Sequence, residues 1–183
     1  MSFLTRGCHM SNKLSRALLS AWLVVASLGA AAIAMAGEYE GKDGAEVAKM
    51  LPGAKVKLQQ ALAAAEPNGK PISAKYEMDE GKFQLSVYTA KDDAFSEVLV
   101  DHKTGKIAKS EKIDGGDDLA HAKEQADAMR SAKKSLKAAV DKAEHEAGGR
   151  AVSVTPTVSD GHAKAVVTVL KGGQYKEVTE SLE

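Results

Sequence analysis

One short stretch of the sequence brings several reactive side chains together. VLVDHKTGKI, residues 98–107, places a carboxylate, an imidazole, an amine and a hydroxyl at the end of an apolar run, and these groups could supply a general base, a nucleophile or a metal ligand. Yet neighbouring strand residues point to opposite faces, and Asp101 and His102 lack the third group of a catalytic set. The order Asp, Thr, Gly is also typical of a turn. We therefore interpret Asp101, Thr104 and Gly105 as structural turn residues.

Other stretches that resemble chemical motifs are incomplete. HEAGG, residues 145–149, begins like the zinc-protease motif His-Glu-x-x-His, but Gly149 stands where the second ligand must be. DGGDD, residues 114–118, lacks the ligand spacing of a calcium loop. It is better interpreted as a linker whose last acids cap the following helix. No phosphate loop and no Gly-x-Ser-x-Gly turn occurs. The histidines after residue 37 show no close pairing; they are His102, His121, His145 and His162. We expect no enzyme activity, no catalytic residue, no metal site and no cofactor.

The first 36 residues have the features of a secretory signal peptide. Three basic residues and no acid precede an apolar run that ends in Ala-Met-Ala at 34–36, so we expect cleavage after Ala36. Met10 is also followed by a complete leader, so translation could start at Met1 or at Met10. The predicted location is the periplasm, or alternatively the medium. The rival interpretation is an uncleaved anchor, because about 20 apolar residues span a bilayer. No second apolar run follows, so no stable membrane span is expected after cleavage.

The composition of the mature chain excludes some partners. Without the leader, 22 Lys and Arg face 25 Asp and Glu, a net charge of −3 over 147 residues. A nucleic-acid partner would require a concentrated basic face and aromatic stacking platforms, and only six scattered aromatic residues remain. Cys8 lies in the leader, so the mature chain has no disulfide and no cysteine metal ligand.

An internal repeat organises the mature chain. LQQALAAAE at 58–66 aligns with LKAAVDKAE at 136–144 at an offset of 78, and the matching apolar positions follow the i, i+3, i+4, i+7 spacing of one helix face. Pro67-Asn68-Gly69 ends the first helix and Gly148-Gly149 ends the second. The sequence therefore predicts the same amphipathic helix twice.

Three strands follow each helix at an offset of 80. Alternating apolar residues from Ile72 match those from Val152, which predicts strands with one inward face. Glu80-Gly81 and Asp160-Gly161 are predicted two-residue hairpin turns, with Gly81 and Gly161 as structural residues. In the third strand Phe95 and Val98 fall on opposite sides of the alternation, which favours a bulge or a twist near Ser96.

The predicted fold class is α+β, with two tandem α-β-β-β repeats in which a helix packs on one face of a three-stranded antiparallel sheet. The expected segments are a signal peptide at 1–36, an N-terminal segment at 37–53, a first repeat at 54–111, a linker and helix at 112–133, and a truncated second repeat at 134–183. A short helix is expected near 45–51, within the N-terminal segment. The linker helix could run unbroken over 119–146 or break near 131–134, since no Gly or Pro interrupts it.

The helix followed by PISAKYEMDEGKFQLSVYTAKDDAFSEVLVDHKTGKI resembles the PepSY family, whose third strand ends in a Val-x-Val-Asp-x-x-Thr-Gly-Lys pattern. The resemblance is strong over 54–109 and weaker over 134–183, where Ser181 replaces the Asp and the Thr-Gly turn is absent. It implies an extracytoplasmic, non-catalytic module of the kind found in propeptides of thermolysin-like metallopeptidases and associated with restraint of proteases.

These features predict a protein that binds a protein partner, either a protease that it inhibits or modulates or another envelope protein. Tyr88 and Leu99, on the strand side opposite the inward residues, and His102 are the candidate contact residues. Binding would use surface occlusion or an exposed strand edge. The alternatives are a metal-handling or small-ligand-handling envelope protein and an accessory subunit of an envelope membrane complex.

Overall fold

The computed structural model describes Tyr39 and residues 41–183, so the predicted signal peptide lies outside the described residues. Within these described residues, four helices and seven strands follow one another, with short 3-10 turns at Leu51–Gly53 and Glu66–Asn68. The elements are α1 (Gly41–Met50), α2 (Leu58–Ala65), β1 (Lys70–Asp79), β2 (Lys82–Lys91), β3 (Ala94–Val100), β4 (Ile107–Lys112), α3 (Gly116–Ser131), α4 (Leu136–Ala147), β5 (Arg150–Ser159), β6 (His162–Lys171) and β7 (Gln174–Ser181). The fold is α+β.

All seven strands form one antiparallel sheet in the order β4-β3-β2-β1-β5-β6-β7. This differs from the expected pair of three-stranded sheets in two ways. The strands of both halves share a single sheet, and the first half has a fourth strand, β4, which hairpin patterning alone did not predict. Joining β1 to β5 pairs two strand edges that would otherwise be open, and open edges favour pairing with another strand.

The junction between the halves is short and is reinforced by a tyrosine. Only Ala74–Val154 and Lys75–Ser153 pair across β1 and β5. The Tyr39 hydroxyl lies within hydrogen-bond distance of the main-chain carbonyls of Tyr76 (2.7 Å) and Val152 (3.1 Å). The N-terminal segment therefore contacts both halves at the point where the ladder ends.

One face of the sheet carries the apolar core beneath α2 and α4. The helix α2 contacts β1, β2 and β3, while α4 contacts β5, β6 and β7. The four aligned positions of each helix are buried because the i, i+3, i+4, i+7 spacing aims them at the sheet. These positions are Leu58, Ala61, Leu62 and Ala65 in α2, and Leu136, Ala139, Val140 and Ala143 in α4.

The opposite face is polar where α3 crosses it. The helix α3 contacts β1, β2, β5 and β6, and the Ser73 hydroxyl donates to Gln125 Oε1 of α3 at 2.6 Å. Small side chains, Ala122 and Ala128, let the helix approach closely. Four buried strand residues on this face bear a hydroxyl: Ser73, Ser86, Ser153 and Thr168.

The two halves share the position of one strand irregularity. The register shifts between Pro71 and Ser73 in β1 and between Ala151 and Ser153 in β5, which are equivalent at an offset of 80. The bulge expected near Ser96 is wrong, because β2 and β3 pair without a shift through that residue. Phe95 instead faces the side opposite Val98 and is buried there, and its carbonyl accepts a hydrogen bond from the Ile113 N–H.

A second set of equivalent contacts holds the segment before each main helix. The His102 carbonyl accepts from the N–H groups of Lys55 and Val56 (2.9 and 3.0 Å). At an offset of 78 to 80, the Leu182 carbonyl accepts from Lys133 and Lys134 (2.7 and 2.9 Å).

The helical segment after the linker is broken, as in the second of the two expected arrangements. Ala132 leaves the helical conformation after α3. Ser135 then caps α4, its hydroxyl accepting from the Ala138 N–H at 3.2 Å. The first helix of the described chain, α1, begins at Gly41, four residues before the expected start.

Candidate functional site

The turn after β3 contains the stretch with the reactive side chains. Asp101 Oδ1 accepts from the main-chain N–H groups of Lys103 (2.9 Å) and Thr104 (2.7 Å). The Asp101 carbonyl accepts from the Gly105 N–H, and the Asp101 N–H donates to the Lys106 carbonyl, both at 2.8 Å. Gly105 has φ +75°, a conformation that favours glycine. The side chains of Asp101 and Thr104 thus bond the local backbone.

These bonds set the charge state of the carboxyl. The N–H groups of Thr104 and then Lys103 stabilise the charged form, so they hold the pKa of Asp101 below its usual value. A general base at neutral pH needs a pKa nearer to that pH. The carboxylate of Asp101 is therefore poorly suited to take a proton in catalysis.

The imidazole of His102 packs against an aromatic ring. Its ring lies edge-on to Phe83, with centroids 5.0 Å apart and planes at 67°. Phe83 pairs with Met78 on the core side of the sheet. Among the described residues, the buried Nδ1 atom of His102 has no hydrogen-bond partner. His102 thus packs toward the core face rather than with the other candidate contact residues.

Tyr88 and Leu99 lie on the α3 face, on neighbouring strands. Tyr88 pairs with Glu97, and Leu99 pairs with Ser86, so the four side chains share that face. Both candidate residues are half-buried. The Lys75 ammonium lies 5.9 Å from the centre of the Tyr88 ring and 2.8 Å from Glu77 Oε2.

Burial changes the acid–base behaviour of this patch. Desolvation raises the pKa of the Tyr88 hydroxyl above its usual value, and it raises the pKa of Glu97 as well. Tyr88 is therefore a neutral hydroxyl, and Glu97 gains a proton more readily than an exposed carboxyl does. The patch combines an aromatic ring, an aliphatic side chain and a partly desolvated acid.

The two predicted hairpin glycines lie in turns of the same backbone shape. Glu80 and Gly81 have φ +47° and +74°, and Asp160 and Gly161 have φ +55° and +78°. Two successive positive φ angles are typical of the tight turn that matches strand twist. Neither glycine would meet a neighbouring atom through an added Cβ, so their role is in the backbone conformation alone.

Within Tyr39 and residues 41–183, no three His, Cys, Asp or Glu side chains are grouped so as to hold a metal ion. The α4 helix ends at Ala147, and Gly148 takes φ +65°, so His145 and Glu146 are not followed by a further helical turn. His162 lies 2.8 Å from Glu183 Oε2 in an exposed pair.

Two features escaped sequence reasoning. Arg150, the residue after the Gly148-Gly149 break, binds three main-chain carbonyls of residues 51–56. A cavity of about 310 Å³ lies where α2, α3, α4 and β1 meet, and four lysines help to line it: Lys70, Lys133, Lys134 and Lys137. The closely spaced lysines Lys133, Lys134 and Lys137 were the one signal of this cavity in the sequence. Lys70 comes close to them only in the folded chain.

None of the helices in the described part of the chain is both long and apolar enough to cross a membrane. No curated protein sequence is significantly similar to the chain. A crystal structure from Clostridium difficile 630, described as a “putative lipoprotein”, is similar at 16% identity with a TM-score of 0.40, over 71% of this chain and 88% of that one. Residues 55–111 match the family model of PepSY, the peptidase propeptide and YPEB domain. The protein therefore carries a PepSY domain at residues 55–111.

Proposed function

We propose that the protein is an exported, non-catalytic module that binds another protein, with an extracytoplasmic protease or an envelope protein as the partner. The observation that carries this proposal is the PepSY match over residues 55–111. The bonding of Asp101 within its turn supports it, since that carboxylate is engaged by two main-chain N–H groups. A signal peptide cleaved after Ala36, with delivery to the periplasm or the medium, belongs to the same proposal.

The proposal includes a second, truncated PepSY-like copy at residues 134–183, joined to the first copy at 54–111 by the linker and helix at 112–133. Three equivalences support it: the shared bulge of β1 and β5, the two hairpin turns of one shape, and the carbonyls of His102 and Leu182 that each accept two N–H groups. In this interpretation α2 of the first copy corresponds to α4 of the second.

The proposed contact surface is the part of the α3 face that carries Tyr88 and Leu99. The helix α3 contacts β1, β2, β5 and β6, and the two candidate residues lie toward β3. Aromatic side chains such as that of Tyr88 are enriched in protein interfaces and among their strongest contacts. A partner that covers this patch would act by occlusion, without chemical turnover.

Affinity capture from the extracytoplasmic fraction of the source cells, followed by inhibition assays with each captured protease, tests the function. We expect a complex on gel filtration and a saturable reduction of protease activity. Leu99→Arg should weaken that complex by at least about tenfold, because a central interface side chain contributes 1–2 kcal/mol or more. Val158→Arg is the matched control, since Val158 is an exposed aliphatic strand residue elsewhere on the sheet.

The outcomes separate the elements of the proposal. Absence of any protein complex would refute the binding function. A complex with a membrane protein and no protease would favour the accessory-subunit alternative. Equal loss of binding in Leu99→Arg and Val158→Arg would refute the proposed contact surface but not the binding function.

Small-ligand handling is the second candidate function, and the lysine-lined cavity favours it. Its volume of about 310 Å³ is at the lower end of ligand-binding pockets, and Leu62, Met129 and Leu136 supply apolar lining beside the lysines. Such a lining suits a small organic anion. Calorimetry with short-chain carboxylates and with inorganic phosphate tests it: saturable heat lost in Lys134→Gln would support the ligand function, and no heat would refute it.

A further inference from the structure

The strand β4 is an exposed edge of the sheet. Every residue of β4 is exposed, and Ile107 is one of few large apolar side chains of the described chain with that property, at 41%. Its inner edge pairs with β3, and within the described residues nothing pairs with its outer edge. An edge of this kind presents free N–H and C=O groups to another strand.

The register of β3 and β4 determines which groups point outward. The Ile113 N–H donates to the Phe95 carbonyl, so Ser96–Lys112 and Val98–Ser110 are the non-hydrogen-bonded pairs of this antiparallel ladder. The N–H and C=O groups of Ser110 and Lys112 therefore point away from β3. A second strand would have to bond to these residues.

The side chains of β4 have a charge pattern that complements itself. Lys109 and Glu111 flank Ser110 on the α3 face, and their charged atoms lie 2.7 Å apart in an exposed pair. In an antiparallel arrangement centred on Ser110, Lys109 of one strand faces Glu111 of the other, and the reverse holds by symmetry. We propose that two copies of this protein associate through β4, antiparallel and centred on Ser110, to form a continuous sheet across a two-fold axis.

The backbone and the charges select the same register. With Ser110 opposite Ser110, the outward-pointing groups of both strands meet and the two residues exchange hydrogen bonds. Lys112 then lies opposite Ala108, which carries no charge. The four charges from Lys109 and Glu111 form an alternating square, in which each side chain has an opposite charge beside it and across from it.

The neighbouring registers are disfavoured. An antiparallel pairing centred on residue 109 would put Lys109 opposite Lys109, and one centred on residue 111 would put Glu111 opposite Glu111. Like charges directly across a ladder destabilise it. Charged residues on an edge usually prevent pairing. Here the same charges oppose those two registers and favour the one centred on Ser110, so the occupant of this edge is a second copy of the chain. Lys109 lies opposite Leu99 on the α3 face, so this edge adjoins the proposed partner surface, but the self-association requires only β4.

Sedimentation equilibrium of the exported protein at increasing concentration tests the dimer. A six-residue edge buries little surface, so we expect a dissociation constant on the order of 0.1 mM, rising with salt. Glu111→Lys and Lys109→Glu should each raise that constant by at least about tenfold, because two opposite-charge pairs become two like-charge pairs. The double variant Lys109→Glu with Glu111→Lys should restore it to within a few-fold of the original.

Disulfide trapping tests the register. In the chain from Gly37 onward, which contains no cysteine, Ser110→Cys should cross-link two copies, because opposed residues of a hydrogen-bonded pair have Cα atoms about 5.5 Å apart. Lys112→Cys is the control, since its two copies face Ala108 rather than each other. A protein that stays monomeric throughout, single variants that dimerise like the parent, a double variant that is not restored, or equal cross-linking at 110 and 112 would each overturn the proposal.

Discussion

Arg150 joins the start of β5 to the segment that precedes α2, nearly 100 residues earlier in the chain. Its Nη1 atom donates to the carbonyls of Leu51 (3.1 Å) and Ala54 (2.7 Å), and its Nη2 atom donates to the carbonyl of Val56 (2.7 Å) and to the Tyr76 hydroxyl (2.8 Å). The guanidinium carbon also lies 5.4 Å from the centre of the Tyr76 ring. We predict that Arg150→Ala is among the most destabilising single substitutions outside the apolar core.

The magnitude follows from the bonds that are lost. A hydrogen bond to a charged group contributes about 1.5–3 kcal/mol, but bonds made by one side chain are not additive, and Arg150 is only half-buried. We therefore expect a decrease of about 3 kcal/mol in the free energy of unfolding. In a chain of this size that corresponds to a fall of about 6–12 °C in the melting temperature.

Urea and thermal unfolding followed by circular dichroism measure the effect. Arg150→Lys should fall between the wild type and Arg150→Ala, because an ammonium keeps the charge but lacks the planar fork that reaches several carbonyls. Arg130→Ala is the control: Arg130 pairs with Asp127 at 2.9 Å on the exposed side of α3, and such pairs contribute at most about 0.5 kcal/mol. A loss below about 1 kcal/mol for Arg150→Ala, or an equal loss for Arg130→Ala, would refute the reasoning.

Three further predictions follow from single groups. The lowered pKa of Asp101 contributes stability that is present above the ordinary aspartate pKa and lost as the pH falls through the folded-state pKa. The urea midpoint of Asp101→Ala should therefore depend less on pH below 4 than that of the wild type. Asp101→Ser should keep the turn at neutral pH. Burial raises the pKa values of Tyr76, Tyr88 and Tyr175, so absorbance titration should find that these hydroxyls ionise at higher pH than an exposed tyrosine, with stability lost as the pH rises through their folded-state pKa values. Tyr39→Phe should lower the free energy of unfolding by about 1 kcal/mol in urea titrations, since it leaves two strand carbonyls without that donor.

Local periodicity in the sequence was sufficient to identify the repeated helices and hairpins. The stripe that begins at Leu58 and its equivalent at Leu136 are buried in the structure, because a 3.6-residue period has only one way to face a sheet. The Gly81 and Gly161 turns likewise depend on two adjacent residues, whose backbone conformation is largely decided locally. These features require no knowledge of distant parts of the chain.

Long-range pairing was not predictable in the same way. The union of β1 with β5 rests on two residue pairs and on Tyr39, and none of these has a local signature. Phe95 misled the parity argument because it is buried on the α3 face, near Ile113, rather than in the main core. A side chain can be buried on either face once a helix covers the second one, so alternation alone could not determine its direction.

The candidate site shows the same division between local and distant determinants. The bonding of Asp101 follows from residues within three positions of it, whereas the packing of His102 depends on Phe83, 19 residues earlier in the chain. Tyr88 and Leu99 were correctly placed on one face by strand alternation, but the helix beside them was not predicted to cross that face. Position on a strand was therefore predictable, and exposure was not.

The equivalent position in the second half supports the interpretation of Asp101 as a structural residue. Ser181 occupies the position 80 residues after Asp101, and its hydroxyl accepts from the Glu183 N–H at 3.2 Å, just as Asp101 accepts from the Lys103 N–H. A hydrogen-bond acceptor two residues before an N–H can be a carboxylate or a hydroxyl, so either residue stabilises this turn. A general base could not be exchanged in this way, because a serine hydroxyl does not take a proton near neutral pH. The shared bond at the two positions therefore favours a hydrogen-bond acceptor as the role of Asp101.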